Sequence, residues 1–245
     1  MSLTCFDKTL WLSAPTPRLA ANDAHIWGVA LDDTSLRLDE LVVTLSGAER
    51  TRAERFKFAR DRDAFIAAHG ALRSILCGYL GLEAQEIVFT EGAHGKPELS
   101  GGMAGSLRFN LSHTHGAALI GVTRDARIGV DIERVRENTP ILDLARRFFH
   151  PDEACALEQT PPERQISAFF TTWTRKEALV KAHGDGLGHL LQAFAVSVDK
   201  TAEVLVKPVG EEKIDWRVYE LPVGMEYRAS VACDQAMTLR RLRWI

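Results

Sequence analysis

The sequence predicts an α+β protein made of two similar halves, each with helices packed on an antiparallel sheet. Two observations predict this class. Helix-like and strand-like segments follow one another in both halves of the chain, and the connector at 124–127 is short enough for an antiparallel hairpin. We place the boundary at Asp125, which gives an N-terminal half at 1–125 and a C-terminal half at 126–245.

The N-terminal half begins with an irregular leader, followed by an alternating strand at 25–31. Ser46 is expected to cap a helix, since Glu49 stands three residues later as a capping-box partner. One or two helices then run to Gly81. The strands expected after them are 87–90, 107–112, 117–123 and 128–133, the last two forming the hairpin across 124–127.

The C-terminal half continues with helices and ends with strands. A helix is expected from Pro140 to Phe149, another from Pro151, and the longest at 165–182, which ends at a glycine-rich segment. The expected strands that follow are 194–199, 202–207, 215–221, 227–233 and 238–245.

Composition and charge exclude several classes of protein. The 245 residues are 46% hydrophobic and carry a net charge of −3, so the whole molecule has no general attraction for nucleic acid or an anionic membrane. The four cysteines form no C-x-x-C pair, which argues against a zinc site or a disulfide framework. No secretory signal or transmembrane stretch is present, so we expect a cytoplasmic protein.

Two carboxylates stand at alternate positions of the strand at 128–133. Ile128, Val130 and Ile132 are expected on its core-facing side, with Asp131 and Glu133 on the other. Two like charges this close repel unless a cation lies between them, and Mg²⁺ favours such oxygen ligands. An exposed polar strand face without an ion remains the alternative.

The long helix mixes charges with aromatic rings on one face. At about 100° per residue, Lys176, Glu177 and Lys181 share a sector with Phe169 and Trp173. Charges placed beside buried rings need partners, so we expect each of them to be paired. The alternative is an exposed Glu177–Lys181 pair that contributes only a few tenths of a kcal/mol.

Three further segments offer ligands for phosphate. Ser112 and His113 end the motif FNLSH, and Lys96 projects from a turn shaped by Gly95 and Pro97. The run at 50–62 carries six cations against Glu54 and Asp61. Each of these segments is also compatible with an ordinary structural residue, surface turn or solvated helix face. No P-loop, dinucleotide fingerprint, nucleophile elbow or zincin motif is present.

In order and content, these motifs match one family. The sequence resembles the Sfp-type 4′-phosphopantetheinyl transferases in GKP at 95–97, FNLSH at 109–113, GVDIE at 129–133 and WTRKEALVKAHGDGL at 173–187. The resemblance implies transfer of the phosphopantetheine arm of coenzyme A to a serine of an apo acyl or peptidyl carrier protein, with release of adenosine 3′,5′-bisphosphate. It also implies a coenzyme A cleft between the halves of one chain, and hence a monomer.

The resemblance implies roles for individual residues. Asp131, Glu133 and Glu177 would bind Mg²⁺, Glu177 would also be the catalytic base, and Lys181 would hold the diphosphate. The residues expected to contact the nucleotide part of coenzyme A are Ser112, His113, Arg52, Lys96 and Pro97, with Arg73 as a further basic candidate. His113 and Arg52 would meet the 3′-phosphate.

Two other functions remain open on the sequence alone. The chain could be a non-catalytic module that binds coenzyme A or a carrier protein, or a Mg²⁺-dependent nucleotide hydrolase. The intact acidic and basic motifs argue against the non-catalytic module. A hydrolase would use the same acidic residues but would release free phosphopantetheine.

Overall fold

The structure is a computed structural model that describes residues 5–13, 15–33, 35–92, 96–103, 105–184, 191–198 and 216–244. Within these ranges the helices are α1 Leu38–Thr44, α2 Gly47–Glu54, α3 Ala59–Leu80, α4 Ile141–Phe148, α5 Pro151–Gln159 and α6 Pro162–His183. The strands are β1 Leu12–Ser13, β2 Asp23–Ala30, β3 Phe89–Glu91, β4 Pro97–Leu99, β5 Arg108–Thr114, β6 Ala117–Thr123, β7 Ile128–Arg134, β8 Arg217–Glu220, β9 Tyr227–Cys233 and β10 Thr238–Arg243.

Two sheets organise the molecule. The first has the strand order β1-β10-β2-β6-β5 and the second has the order β7-β9-β8, while β3 and β4 form a separate pair. The α+β class is therefore confirmed. Most pairings are antiparallel, but β10 runs parallel to both β1 and β2, so one edge of the first sheet departs from the expected antiparallel arrangement.

The last strand returns to the first sheet. Strand β10 lies between β1 and β2, with Leu242 opposite both Leu12 and Trp27. A parallel neighbour cannot be joined by a tight hairpin, and β10 reaches this place only after a long excursion of the chain. The two sheets therefore do not divide at Asp125, and the domain boundary there remains a prediction.

The layers follow from the apolar clusters. Ile26 and Leu119 of the first sheet share one buried cluster with Val130 and Val231 of the second, so the two sheets face each other. Helix α3 packs on the outer face of the first sheet. Helix α6 packs on the outer face of the second sheet, mainly through its end at 178–182.

The expected hairpin across 124–127 is not formed. Strand β6 pairs with β2 and β5, whereas β7 pairs with β9 in the other sheet. The short connector passes from one sheet to the other, and its Arg127 N–H donates to Asp234 Oδ1 at 3.0 Å. The hairpin of this region is β5–β6 instead, turning at Gly116 with φ +83°.

Side chains of β5 join the two sheets. Three alternate residues of β5 accept hydrogen bonds from alternate N–H groups of β7, in the pairs Asn110 with Val130 (2.9 Å), Ser112 with Ile132 (3.4 Å) and Thr114 with Arg134 (3.3 Å). We call these three contacts the β5–β7 polar row. Because they occupy N–H groups that a neighbouring strand would use, β7 lies beside β5 without backbone pairing.

Local signals at the helix ends are confirmed. Ser46 and Glu49 form a reciprocal capping box at the start of α2. Gly81 ends α3 in the left-handed region with φ +67°, a conformation that glycine adopts without steric cost. None of the described helices is both long and apolar enough to cross a membrane.

The expected strand at 194–199 is not formed over its described residues. The carbonyl of Phe194 accepts a hydrogen bond from Lys176 Nζ at 2.7 Å, and Val196 N–H donates to Glu153 Oε1 at 2.6 Å. Side chains thus take the backbone groups that a strand partner would need. The expected strand at 202–207 and residues 185–188 of the glycine-rich segment lie outside the described residues.

Candidate active site

Asp131 is the buried centre of the acidic site. It is only 3% exposed, whereas Ile128, Val130 and Ile132 point into the core on the other side of β7, so the predicted alternation is confirmed. Its Oδ1 accepts hydrogen bonds from Ser112 Oγ at 2.9 Å and from Lys181 Nζ at 2.6 Å. Its Oδ2 is buried and has no hydrogen-bond partner within the described part of the chain.

Gly129 allows α6 to lie directly on β7. A Cβ at this position would overlap the carbonyl oxygen of Ala178 and the backbone nitrogen of Ala182. The absence of a side chain therefore sets the separation between helix and strand. This close approach brings Glu177 and Lys181 to the side of β7 that carries Asp131.

Glu133 and Glu177 are half-buried carboxylates that flank Asp131. Burial raises the pKa of Glu177, the charge of Asp131 raises it further, and Lys181 acts in the opposite direction. Burial is also the largest cause of the raised pKa of Glu133, followed by the charge of Asp131. Arg136, with NH2 3.8 Å from Glu133 Oε2, opposes that rise. Each carboxylate is therefore held where its negative charge is poorly compensated.

The ammonium groups of α6 have partners in two different places. Lys181 pairs with Asp131, and no ion pair joins it to Glu177 among the residues that the structure describes, so the exposed i,i+4 pair is not formed. Lys176 points elsewhere: it is 1% exposed and its Nζ lies 2.7 Å from Glu153 Oε2. The expected pairing is confirmed for Lys176 and Lys181 but not for Glu177, which forms no ion pair among the described residues. Lys176 belongs to the contact between α5 and α6 rather than to the acidic site.

The acidic site suits a divalent cation by its chemistry. It offers three carboxylates, and the charge of Asp131 raises the pKa of both Glu133 and Glu177. One oxygen of Asp131 is buried and has no hydrogen-bond partner among the described residues, and carboxylate oxygens are the donors that Mg²⁺ prefers. In the described ranges, no three acidic, histidine or cysteine side chains are grouped closely enough to hold a metal as they stand. The donor set therefore fits Mg²⁺, whereas a ligand geometry is not preformed.

A cluster of basic groups lies next to the acidic site. The ring of His113 is exposed, but the surrounding protein removes part of its hydration, which lowers its pKa, and the charges of His69, Lys181 and Arg52 act in the same direction. Arg52 is exposed and its guanidinium lies 5.3 Å from the ring centre of Phe65. No ion pair involves Arg52 within the described ranges, so this cation is available to an anion.

A cavity of about 130 Å³ lies between the segment of β4 and the end of α6. The residues that line it include Lys96, Pro97, residues 127–128 and residues 182–184. Lys96 Nζ donates to the carbonyl of Lys181 at 2.7 Å and reaches that of Ile128 at 3.4 Å, and burial lowers its pKa. Lys96 thus joins its own segment to α6 and β7 beside the cavity. His94 and Gly95 of the predicted turn lie outside the described residues.

Comparisons with known proteins identify the family of the chain. Residues 127–232 match the model of the 4′-phosphopantetheinyl transferase superfamily, and residues 33–124 match that of the 4′-phosphopantetheinyl transferase N-terminal domain. The chain is 39% identical over 225 residues to the 4′-phosphopantetheinyl transferase HetI of Nostoc sp., covering 91% of this chain and 92% of that protein. The chain belongs to the 4′-phosphopantetheinyl transferase superfamily.

More distant relatives carry the same description. The chain is 33% identical to the 4′-phosphopantetheinyl transferase psf-1 of Bacillus pumilus, over 72% of this chain and 75% of that protein. It is 28% identical to the 4′-phosphopantetheinyl transferase Sfp of Bacillus subtilis, over 77% of this chain and 82% of that protein. The resemblance predicted from the motifs is confirmed, and the chain is a transferase of this class.

Arg73 does not lie where a ligand of this transferase could reach it. The residue is 1% exposed, its Nε donates to Glu49 Oε2 at 2.8 Å, and its NH1 donates to the carbonyls of Ala84 and Ile87. These contacts tie α3 to α2 and to the segment that follows α3. The expectation that Arg73 binds coenzyme A is therefore corrected: Arg73 is a buried structural cation.

Sequence reasoning missed His69 of the transferase. Its Nδ1 lies 3.2 Å from Glu49 Oε1, and its ring stacks on Phe65 with centroids 4.0 Å apart. The signal was available in the sequence, because Phe65, His69 and Arg73 follow one another at intervals of four residues along α3 and must share a face. The capping role of Glu49 was predicted, but its contacts to α3 were not.

Proposed function

We propose that this chain transfers the 4′-phosphopantetheine arm of coenzyme A to a serine hydroxyl of an apo acyl or peptidyl carrier protein and releases adenosine 3′,5′-bisphosphate. The observation that carries the proposal is the meeting of Asp131, Glu177 and Lys181 beside the basic cluster of Arg52 and His113. Carboxylates for a cation and a base, together with cations for phosphates, are what attack on a diphosphate requires.

Glu177 is the base in this proposal. The serine oxygen forms a bond to the phosphorus that carries the pantetheine arm, and the bond from that phosphorus to the adenosine 5′-phosphate breaks. The hydroxyl proton passes to the Glu177 carboxylate, directly or through water. Its raised pKa makes Glu177 a better proton acceptor than an ordinary surface glutamate near neutral pH.

Asp131, Glu133 and Glu177 are the proposed Mg²⁺ ligands. The ion, when bound, neutralises negative charge on the diphosphate oxygens. Lys181 adds a second positive charge at the same place, because its ammonium already lies beside Asp131 and Ser112. Ser112 orients both of these groups and can donate to a phosphate oxygen if its bond to Asp131 is exchanged.

Arg52 and His113 are the proposed contacts to the 3′-phosphate, and Lys96 and Pro97 line the proposed nucleotide pocket. The cavity beside Lys96 supports this placement, since residues of both halves line it. We further propose that the enzyme acts as a monomer in the cytoplasm. The four free cysteines, Cys5, Cys77, Cys155 and Cys233, suit a reducing compartment.

One experiment tests the proposed reaction. The chain is incubated with coenzyme A, Mg²⁺ and an apo carrier protein, and the carrier is followed by intact-protein mass spectrometry. A mass gain of one phosphopantetheine on the carrier serine supports the proposal, and a carrier whose serine is replaced by alanine is the control. Binding of coenzyme A without transfer indicates a non-catalytic module, whereas cleavage of coenzyme A without carrier indicates a hydrolase.

A further inference from the structure

His69 is a histidine beside the proposed phosphate contacts that has no role in the proposal so far. Its side chain is 17% exposed and lies between α3 and α2, with Nδ1 against Glu49 Oε1. Nε2, on the far side of the ring, forms no hydrogen bond within the described residues. This atom is not fully buried. Nδ1 is thus held by Glu49, whereas Nε2 keeps some contact with solvent.

Phe65 links His69 to Arg52. The ring of His69 stacks on that of Phe65 at 4.0 Å with an interplanar angle of 27°, and the guanidinium of Arg52 lies 5.3 Å from the centre of the same ring. Phe65 itself is 2% exposed, so it is a fixed surface against which both groups rest. The positions of His69 and Arg52 are therefore coupled by a rigid neighbour.

The second carboxylate oxygen of Glu49, Oε2, already accepts hydrogen bonds from other groups. Its Oε2 accepts from the Ser46 N–H and from Arg73 Nε, both at 2.8 Å, while Oε1 faces His69. The carboxylate is therefore fixed, and it fixes the orientation of the imidazole. When the ring is protonated, Nδ1–H donates to Glu49 and Nε2–H is free to donate to an anion, in a charge-assisted hydrogen bond.

An anion bound beside His69 would also lie near other cations, because three positive groups act on the neighbouring His113. The positive charges of His69, Lys181 and Arg52 all act on its ring and lower its pKa. Several cations that repel one another at the protein surface stabilise a bound dianion together. A phosphate monoester is such a dianion near neutral pH.

We propose that His69, oriented by Glu49 and Phe65, is a third contact to the terminal phosphate monoester of the donor nucleotide, beside Arg52 and His113, and that it helps to distinguish coenzyme A from its 3′-dephospho form. The inference rests on the proposed function, since it names a further residue of that donor site. It assigns His69 to donor binding and not to the transfer step.

Binding to the full chain without a carrier protein tests the proposal. Dissociation constants for coenzyme A and for 3′-dephospho-coenzyme A are measured by isothermal titration calorimetry for wild type and for His69→Gln. Loss of one charge-assisted hydrogen bond predicts about tenfold weaker binding of coenzyme A. Binding of the dephospho form should change by less than about twofold, because it lacks the group that His69 contacts.

Two further variants separate contact from structural support. His69→Lys restores a positive charge and should recover part of the preference for coenzyme A, which a purely structural role would not do. His115→Gln, at an exposed histidine on the β5–β6 turn, should leave both constants unchanged. If His69→Gln weakens the binding of both ligands equally, or of neither, the inference about His69 is overturned while the proposed function stands. Failure of the wild type to bind either ligand overturns the proposed function and this inference with it.

Discussion

The Ser112 hydroxyl donates a hydrogen bond of 2.9 Å to Asp131 Oδ1 and receives one of 3.0 Å from the Lys181 ammonium. The three groups come from β5, β7 and α6, so the network joins a strand of the first sheet to a strand of the second sheet and to the helix that packs on it. Rotation of the Asp131 carboxylate would break contacts to both partners. The carboxylate is therefore positioned by packed secondary structure rather than by a loop, which favours a precise site.

Replacing Gly129 with alanine should displace α6. The added methyl group has no room beside the backbone of residues 178 and 182, so helix and strand must separate. We expect at least about tenfold slower transfer and a loss of about 1–3 kcal/mol in the free energy of unfolding. Initial rates and urea denaturation measure both effects. Gly47→Ala is the control, since no atom lies within 4 Å of its Cβ position; a normal rate for Gly129→Ala would contradict the role of the close approach.

Glu177→Gln should remove most transfer activity while the fold remains. Loss of a general base lowers rates by about 10²–10⁴-fold. The free energy of unfolding should not fall, because the raised pKa shows that the charged form of Glu177 is disfavoured where it stands. Steady-state kinetics and thermal denaturation give the two readouts. Glu163→Gln, an exposed position in the first turn of the same helix, is the matched control. Turnover near the wild-type rate would refute the proposed role.

Lys181→Ala should lower the melting temperature, and Mg²⁺ should recover part of that loss. The variant leaves Asp131 buried with Ser112 as its remaining side-chain donor, which costs about 1–3 kcal/mol of unfolding free energy. If Mg²⁺ binds the acidic site, adding it should recover part of this loss by supplying positive charge. Melting temperatures with Mg²⁺ and with a chelator test this, with the exposed Lys8→Ala as control. An equal loss in both conditions would argue against the metal site.

The buried pair of Glu153 and Lys176 should be important for stability. Both side chains are 1% exposed, and Lys176→Met leaves Glu153 with an uncompensated charge, at a cost of about 3–5 kcal/mol. The double variant Lys176→Met with Glu153→Gln should be more stable than the single variant, because the buried charge is gone. Urea denaturation measures each step. Arg146→Met, which breaks an exposed pair with Glu158, should cost less than about 1 kcal/mol.

His25 should make the protein less stable in acid. Its ring is fully buried, Nδ1 contacts the Tyr79 hydroxyl at 2.7 Å, and burial is the largest cause of its lowered pKa. Below about pH 6.5 the unfolded chain takes up a proton on this histidine before the folded chain does, so falling pH favours unfolding. The unfolding free energy of wild type should therefore drop more between pH 8 and about pH 5 than that of His25→Gln. If the unfolding free energy falls equally with pH in wild type and in His25→Gln, His25 is excluded as the cause.

Features that depend on neighbouring residues could be predicted from the amino-acid sequence. The capping box of Ser46 and Glu49, the end of α3 at Gly81 and the alternation around Asp131 were all predicted, because capping, glycine conformation and side-chain period act over a few residues. The motifs GVDIE at 129–133 and WTRKEALVKAHGDGL at 173–187 also carry the family resemblance, because they are contiguous runs of residues. Asp131, Glu177 and Lys181, which the motifs singled out, meet in the structure.

The pairing of distant elements could not be predicted from local patterns and is seen only in the folded chain. Strand β7 does not form the expected hairpin with β6, because the side chains of Asn110, Ser112 and Thr114 accept hydrogen bonds from its N–H groups. Strand β10 lies in the first sheet, between β1 and β2. Arg73 is a buried structural cation, whereas His69 lies close enough to His113 to act on its pKa together with Arg52. These outcomes join residues that are distant along the chain. They therefore depend on how whole faces pack and on which buried charge finds a partner, which a local sequence pattern does not determine.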